Sequence, residues 1–326
     1  MDYEIIATLG PASRDEETWP ALLAAGATAF RLNTSHLTLP GLEDWLERLA
    51  PFLNRHSRLV PVYFDLQGSK WRLGEFPACR LATGERVRLV LAQSAQEAGV
   101  LPVPHRDFFA AALLHGGEAS LNDARVRLAV ESAADDWASA RVLVGGELSA
   151  NKGITLTAGA ARIESLGERD RAVIERTGGL EMARFALSYV RDADEIARYR
   201  ALCGPRAFLA AKLERRPAVD EPERICAYAD ELWLCRGDLG AELGLPAMAS
   251  SAADFSRRVS SLPVPAVLAG QVLEHMTRQP TPTRSEICQL YDALQCGYRG
   301  FVLSDETAVG DNPVESCRAA AMFRGL

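Results

Sequence analysis

Short apolar runs recur along the chain. Each ends in a polar or charged cluster, and an amphipathic stretch follows. The runs are Glu4–Leu9, Ala29–Asn33, Val60–Leu66, Arg184–Val190, Ala207–Glu214, Glu231–Leu239, Pro265–Gln271 and Gly300–Glu306. Continuous apolar segments of this kind suit parallel strands buried on both faces. The intervening stretches read as helices. Ser13 is a cap for the first, with Pro20 lying inside it. Glu43–Leu53 follows the second strand, Ala193–Leu202 stops at Gly204-Pro205, Ser285 caps a helix running through Leu294, and Pro313 opens the last. Repeated strand–helix alternation predicts an α/β fold, a (β/α)8 TIM barrel. A doubly wound sheet carries the same alternation, because the pattern does not show closure.

The alternation breaks between about Gly74 and Lys152. The runs there are β-like: Val87–Ala92, Val126–Glu131 and Arg141–Val144, punctuated by Asn122-Asp123 and Gly145-Gly146. This predicts a small all-β domain inserted after the third strand, where it projects from the C-terminal face of a barrel and can serve as a lid. The expected organisation is a barrel from residues 1–73 and 154–326, with the lid at 74–153.

Composition narrows the function. The 326 residues are 48% hydrophobic and 24% charged, enough for a packed core. Lys+Arg 36 against Asp+Glu 43 gives −7, which argues against nucleic-acid and membrane-surface partners. The seven cysteines are odd in number and form no CxxC pair, as expected of a reduced, cytoplasmic chain. No signal-peptide pattern opens the sequence. The longest uncharged run, Val259–Leu273, is short and holds Pro263 and Pro265. The histidines show no metal-ligand spacing.

Barrel strands deliver their C-terminal residues to the site. Here these are Thr8, Arg31, Asn33, Ser35, His36, Asp65, Lys70, Arg72, Ser188, Arg191, Lys212, Glu214, Arg236, Asp238, Gln271, Ser304 and Glu306. Such cations beside carboxylates suit a divalent ion with a phosphorylated anion. Lys212 and Glu214, two apart on a strand, face the same way. Asp238 offers a second carboxylate, and Mg²⁺ is commonly held by one or two of these with substrate oxygens and water. Gly237 lets backbone approach a ligand, so its amide is a candidate for a substrate carboxylate. Taken singly, Lys-x-Glu is a surface ion pair and Arg-Gly-Asp-Leu-Gly a turn. Their concentration at strand ends favours function.

At these residues the sequence resembles the pyruvate kinase family, in the family's order from Ile5 to about Arg318. The motifs are Ala-Thr-Leu-Gly-Pro-Ala-Ser (7–13), Arg31-Leu-Asn-Thr-Ser-His36, Asp65-Leu-Gln-Gly-Ser-Lys-Trp-Arg72, Leu121-Asn-Asp123 and Asn151-Lys-Gly-Ile-Thr-Leu156. Ala211-Lys-Leu-Glu214, Arg236-Gly-Asp-Leu-Gly240, Pro282-Thr-Arg-Ser-Glu286 and Leu303-Ser-Asp-Glu-Thr-Ala308 complete the series. The resemblance implies phosphoryl transfer between phosphoenolpyruvate and ADP. It implies catalytic roles for Lys212, Arg72 and Arg31, and Mg²⁺ or Mn²⁺ on Glu214 and Asp238. Gly237, Asp238, Gly270, Gln271 and Ser188 would bind substrate, and Asn33, His36, Arg72 and Lys152 nucleotide.

Departures from the family pattern carry further expectations. The resemblance ends where the family's barrel ends, so its C-terminal domain is expected to be absent and the chain monomeric or homodimeric. Gly270 stands where the family usually has Thr, a residue tied to the substrate carboxylate and enolate protonation. Ser69 replaces a usual Pro and Asp305 a usual Gly. Leu66 and Lys70 follow Asp65 as in members that do not need K⁺, so K⁺ is not expected to be required. The region concerned comprises Asn33, Ser35, Asp65, Leu66 and Lys70. The alternatives to a kinase are a Mg²⁺-dependent 2-oxo acid lyase or decarboxylase, and a non-catalytic phosphoenolpyruvate- or nucleotide-binding protein.

Overall fold

The computed structural model describes residues 1–56, 59–68, 70–122, 125–156 and 167–325; Ser69 and Asp123 therefore lie outside the described residues. By internal contacts the chain divides into two units. The first comprises Met1–Gly68, Leu166–Arg236 and Ser251–Leu326; the second comprises Ser69–Ser165 and Gly237–Ser250.

In the first unit, eight parallel strands close into a barrel. We number strands along the chain. The barrel uses β1 (Glu4–Leu9), β2 (Ala29–Asn33) and β3 (Val62–Leu66). The second unit supplies β4 (Cys79–Leu81), β5 (Arg86–Val90), β6 (Val100–Pro102), β7 (Glu118–Leu121), β8 (Val126–Ala133), β9 (Trp137–Val144), β10 (Gly146–Leu148) and β11 (Ile154–Leu156). The barrel resumes with β12 (Ala183–Leu187), β13 (Phe208–Leu213), β14 (Glu231–Cys235), β15 (Ala266–Ala269) and β16 (Gly300–Leu303). Its order is β1-β16-β15-β14-β13-β12-β3-β2.

Strand alternation sorts the barrel interior into layers, since residues two apart face the same way. One layer is apolar: Ile6, Ala29, Tyr63, Ala186, Ala210, Trp233, Val267 and Val302 pack together. The large rings of Tyr63 and Trp233, 5.0 Å apart, fill the interior because Ala29, Ala186 and Ala210 leave room. Stepping two residues toward the strand C-termini reaches Thr8, Arg31, Asp65, Ser188 and Lys212. Stepping toward the N-termini reaches Glu4, Arg184, Phe208 and Glu231. The opposite faces of the strands carry Phe30, Phe64, Leu66, Phe185 and Leu234, all buried.

In the second unit, β11-β7-β8-β9-β5-β6 form one sheet and β10-β4 another. Its core joins Trp71, Leu89, Phe108, Leu128 and Val142. A helix, Arg106–His115, also belongs to it, which the β-like reading did not anticipate.

Some local expectations are corrected. The apolar run from Glu231 is strand only to Cys235, and a helix takes over at Arg236–Leu243. The run from Gly300 likewise turns into a helix at Asp305–Ala308. Ser13 caps no long helix. Its hydroxyl accepts from Gly10 N at 3.0 Å in a 3-10 turn, and the helix begins at Thr18. Thr283, not Ser285, caps Arg284–Cys296. Its hydroxyl accepts from Glu286 N while Glu286 reaches back to Thr283 N, a capping box that offers two donors partners at once.

Candidate functional site

At the C-terminal end of the barrel interior, charged side chains form one closed network around Asp65. Arg31 donates to Asp65 Oδ2 from Nε at 2.7 Å and reaches Thr8 Oγ1 from Nη1 at 2.9 Å. Lys212 Nζ lies 3.1 Å from Asp65 Oδ1, 2.8 Å from Ser188 Oγ and 2.9 Å from Glu214 Oε1. Ser188 Oγ donates to Asp65 Oδ1 at 3.0 Å. Glu214 Oε2 accepts from Tyr189 N at 2.7 Å, with Tyr189 in the left-handed region at φ 58°. Two cations face two carboxylates, so the cluster is locally neutral although buried.

Burial alone would disfavour these charges, and the pairing reverses that. Burial pushes the Asp65 carboxyl up, but Lys212 and Arg31 outweigh it and hold the group below its ordinary value. Burial opposes the Lys212 charge, but Asp65 and Glu214 raise its pKa above the ordinary value. The raised value favours the ammonium form, which is suited to meeting negative charge.

Neighbouring loops are tied to this network. Thr34 Oγ1 donates to Asp65 O at 2.7 Å, and Arg169 Nη2 donates to Thr34 O at 2.8 Å. Asp170 accepts from Gln67 N and Gly68 N, both at 2.9 Å. Gly68 sits at φ 62°, where an added Cβ would lie 2.1 Å from Ser188 O, so only glycine fits. The sequence reading missed Arg169 and Asp170. The available signal was the pair of acidic residues, Glu168 and Asp170, in the first turn of Glu168–Thr177.

Other expected residues are placed as follows. Asn33 Oδ1 accepts from Ser35 N at 3.2 Å, beside the strand end that carries Asp65. Leu66 is buried on the strand face opposite Asp65. His36 ends the turn Thr34–His36; its side chain lies outside the described residues. In the second unit, Lys70 forms an ion pair with Asp238. A Cβ at Gly153 would lie 2.1 Å from Lys70 Cε, so glycine there leaves space for the lysine stem. Arg72 Nη1 donates to Asn151 O at 2.8 Å, and Leu73 N to Lys152 O at 2.9 Å. Gly237 lies in the helix Arg236–Leu243, and a Cβ there would meet nothing within 4 Å. Packing within the protein does not demand glycine at that position.

Gly270 and Gln271 leave the end of β15 in consecutive left-handed conformations, φ 84° and 52°. Arg236 binds both of their carbonyls: Gly270 O from Nε at 3.0 Å and Nη2 at 2.6 Å, and Gln271 O from Nη2 at 2.9 Å.

A parallel eight-stranded barrel with a lysine–glutamate pair inside its C-terminal end is the frame on which the motif series sits. The barrel domain of pyruvate kinase, as a family, matches residues 2–317. The chain belongs to the pyruvate kinase family. It is 33% identical over 316 residues to a pyruvate kinase of Agrobacterium vitis, covering 96% of this chain and 65% of that protein. A pyruvate kinase of Methylorubrum extorquens is 32% identical over 315 residues, 96% of this chain and 66% of the relative. One from Thermococcus litoralis is 29% identical over 323 residues, 98% and 68%. The chain thus spans about two thirds of the length of these curated relatives. No helix among the described residues is long and apolar enough to cross a membrane.

Proposed function

We propose that this chain transfers a phosphoryl group between phosphoenolpyruvate and ADP. The observation that carries the reading is the buried Lys212, held by Asp65, Ser188 and Glu214 at 2.8–3.1 Å. Phosphoryl transfer needs alignment and charge neutralisation more than a nucleophilic side chain. A fixed ammonium at this place stabilises the transferring group and the enolate left behind. Arg31 keeps Asp65 ionised, so Lys212 remains charged and in position. Arg72 binds phosphate, Asn33, His36 and Lys152 serve the nucleotide, and Ser188 and Gly237 the substrate.

Glu214 and Asp238 supply hard oxygen donors, which suit Mg²⁺ or Mn²⁺. Glu214 Oε1 lies 2.9 Å from the Lys212 ammonium and Oε2 accepts from Tyr189 N, so both oxygens are oriented. When bound, the ion would neutralise substrate oxygens. The partners are small molecules, and K⁺ is not required, because Lys70 is a tethered cation beside Asp238. Stimulation of turnover by K⁺ over a bulky organic cation at matched ionic strength would contradict that last point.

A coupled assay for pyruvate from phosphoenolpyruvate and ADP tests the reading. We expect metal-dependent turnover that Lys212→Met abolishes; turnover equal to that control overturns it. Gly270 brings no hydroxyl to the end of β15, which favours a second reading, enolate chemistry on a 2-oxo acid without kinase-type protonation. Cleavage or decarboxylation of oxaloacetate in place of kinase turnover would support it.

A further inference from the structure

A second charged pair is buried next to the network around Asp65. Arg215 follows Glu214 in sequence, and it meets Glu195, on the helix Ala193–Cys203. Both residues are 4% exposed, and Arg215 Nη2 lies 3.8 Å from Glu195 Oε2, an ion pair rather than a hydrogen bond. The same oxygen accepts from Arg191 N at 2.6 Å, and Glu195 N donates to Asp192 Oδ1 at 2.9 Å. Glu195 thus ties the guanidinium and the backbone leaving β12 to one helix turn.

Between β12 and that helix stands Tyr189. It is left-handed at φ 58°, the one aromatic residue so placed among those described. A bulky side chain avoids this region and stays there only where its surroundings over-determine it. Here they do. Arg215 Cζ lies 6.0 Å from the centre of the Tyr189 ring, within reach of a cation–π contact. One residue before, Ser188 Oγ donates to Asp65; two residues after, Arg191 N is held by Glu195. What the strained conformation delivers is the Tyr189 N–H, which donates to Glu214 Oε2 at 2.7 Å while Oε1 faces Lys212.

We infer that Arg215 and Glu195 are positioning residues: their buried pair backs the Tyr189 ring, keeps residue 189 left-handed, and so sets the orientation of the Glu214 carboxylate. They act through Tyr189, without touching a ligand themselves. That Glu214 takes a divalent ion rests on the proposed function; the clamp on Tyr189 does not.

The test uses the intact chain. Exchange of the Tyr189 amide is followed without metal, and Mn²⁺ binding is measured by electron paramagnetic resonance. Arg215→Met alone would strand the Glu195 charge, so the main variant combines it with Glu195→Gln and removes both charges together. We expect Tyr189 exchange about tenfold faster and Mn²⁺ binding about tenfold weaker. Arg215→Lys keeps the charge without the planar face and should fall between. Tyr189→Gly gives up the ring but accepts the left-handed region freely. In that background, removing the two charges should change Mn²⁺ binding little further, whereas a pair acting only on overall stability would add its full effect. Unchanged exchange or unchanged Mn²⁺ binding in the folded double variant overturns the inference, as does full additivity with Tyr189→Gly. If the unmutated chain binds no Mn²⁺, the metal assignment of Glu214 falls with the proposed function, and Tyr189 exchange alone then decides the clamp.

Discussion

The two ends of the barrel interior both bury carboxyl groups, and they treat them in opposite ways. At the C-terminal end, Asp65 and Glu214 face Arg31 and Lys212, and Asp65 is held below its ordinary value. At the N-terminal end, Glu231 Oε2 accepts from Trp233 Nε1 at 2.6 Å and is 3.0 Å from the Tyr63 hydroxyl. That hydroxyl is also 3.2 Å from Glu4 Oε2 and accepts from Arg184 Nη1 at 2.7 Å. One phenol proton cannot serve two carboxylates. Arg184, 3.4 Å from Glu4 Oε1, is the one cation among the described residues in contact with both the phenol and Glu4. Burial, reinforced by the Glu4 charge, pushes Glu231 up to about 8, against the opposing pull of the Trp233 and Tyr63 hydrogen bonds.

The lesson is that burial alone does not set protonation; the local charge balance does. The consequences for stability have opposite signs. Asp65, depressed in the fold, contributes stability above its ordinary value of 3.8 that is lost as pH falls. Glu231, raised in the fold, contributes stability that is full below its ordinary 4.5 and is lost as pH rises toward about 8.

The sharpest way to break this contrast is Lys212→Met. It removes one cation from the balanced end and leaves buried carboxylates short of charge. We expect a loss of about 3 kcal/mol or more in stability together with loss of turnover, read by denaturant melts and the coupled assay. Wild-type stability at neutral pH would show that the network is not energetically coupled. Glu231→Gln acts on the other end. The unmutated chain should lose stability between pH 5 and 8 at up to about 1.4 kcal/mol per pH unit, and the variant should flatten that slope. Melting curves across this range decide it; an unchanged slope means that Glu231 does not titrate there. Tyr63→Phe is the mildest change. Removing the hydroxyl should cost about 1 kcal/mol and move the Glu231 titration further up, because one hydrogen bond favouring its charged form is gone. A downward shift in the same melts would contradict the assignment.

Much of the barrel was legible in the sequence because each strand is a continuous apolar run that ends at a polar residue. Strand ends were harder where an apolar run carried on past the last ladder bond. Leu239 continues the pattern begun at Glu231, yet the backbone is already helical from Arg236. The i, i+2 spacing of Lys212 and Glu214 made their shared direction readable. The polarity of the opposite barrel end was not. Glu4, Arg184 and Glu231 each open a strand, where a charged residue ordinarily reads as a solvated boundary. Only closure of the barrel brings them to one phenol. Asp170 was missed for a similar reason, since its partners are backbone amides, which carry no mark in a sequence.

Asp170 also bears on how the end of β3 is anchored. Where β3 ends, the next two amides are received by one carboxylate on a helix of the same unit, as a ladder partner would receive them. The polypeptide leaves the barrel only after that anchorage. The register of Asp65 is therefore fixed inside its own unit, by a contact that does not draw on the segment beyond Gly68.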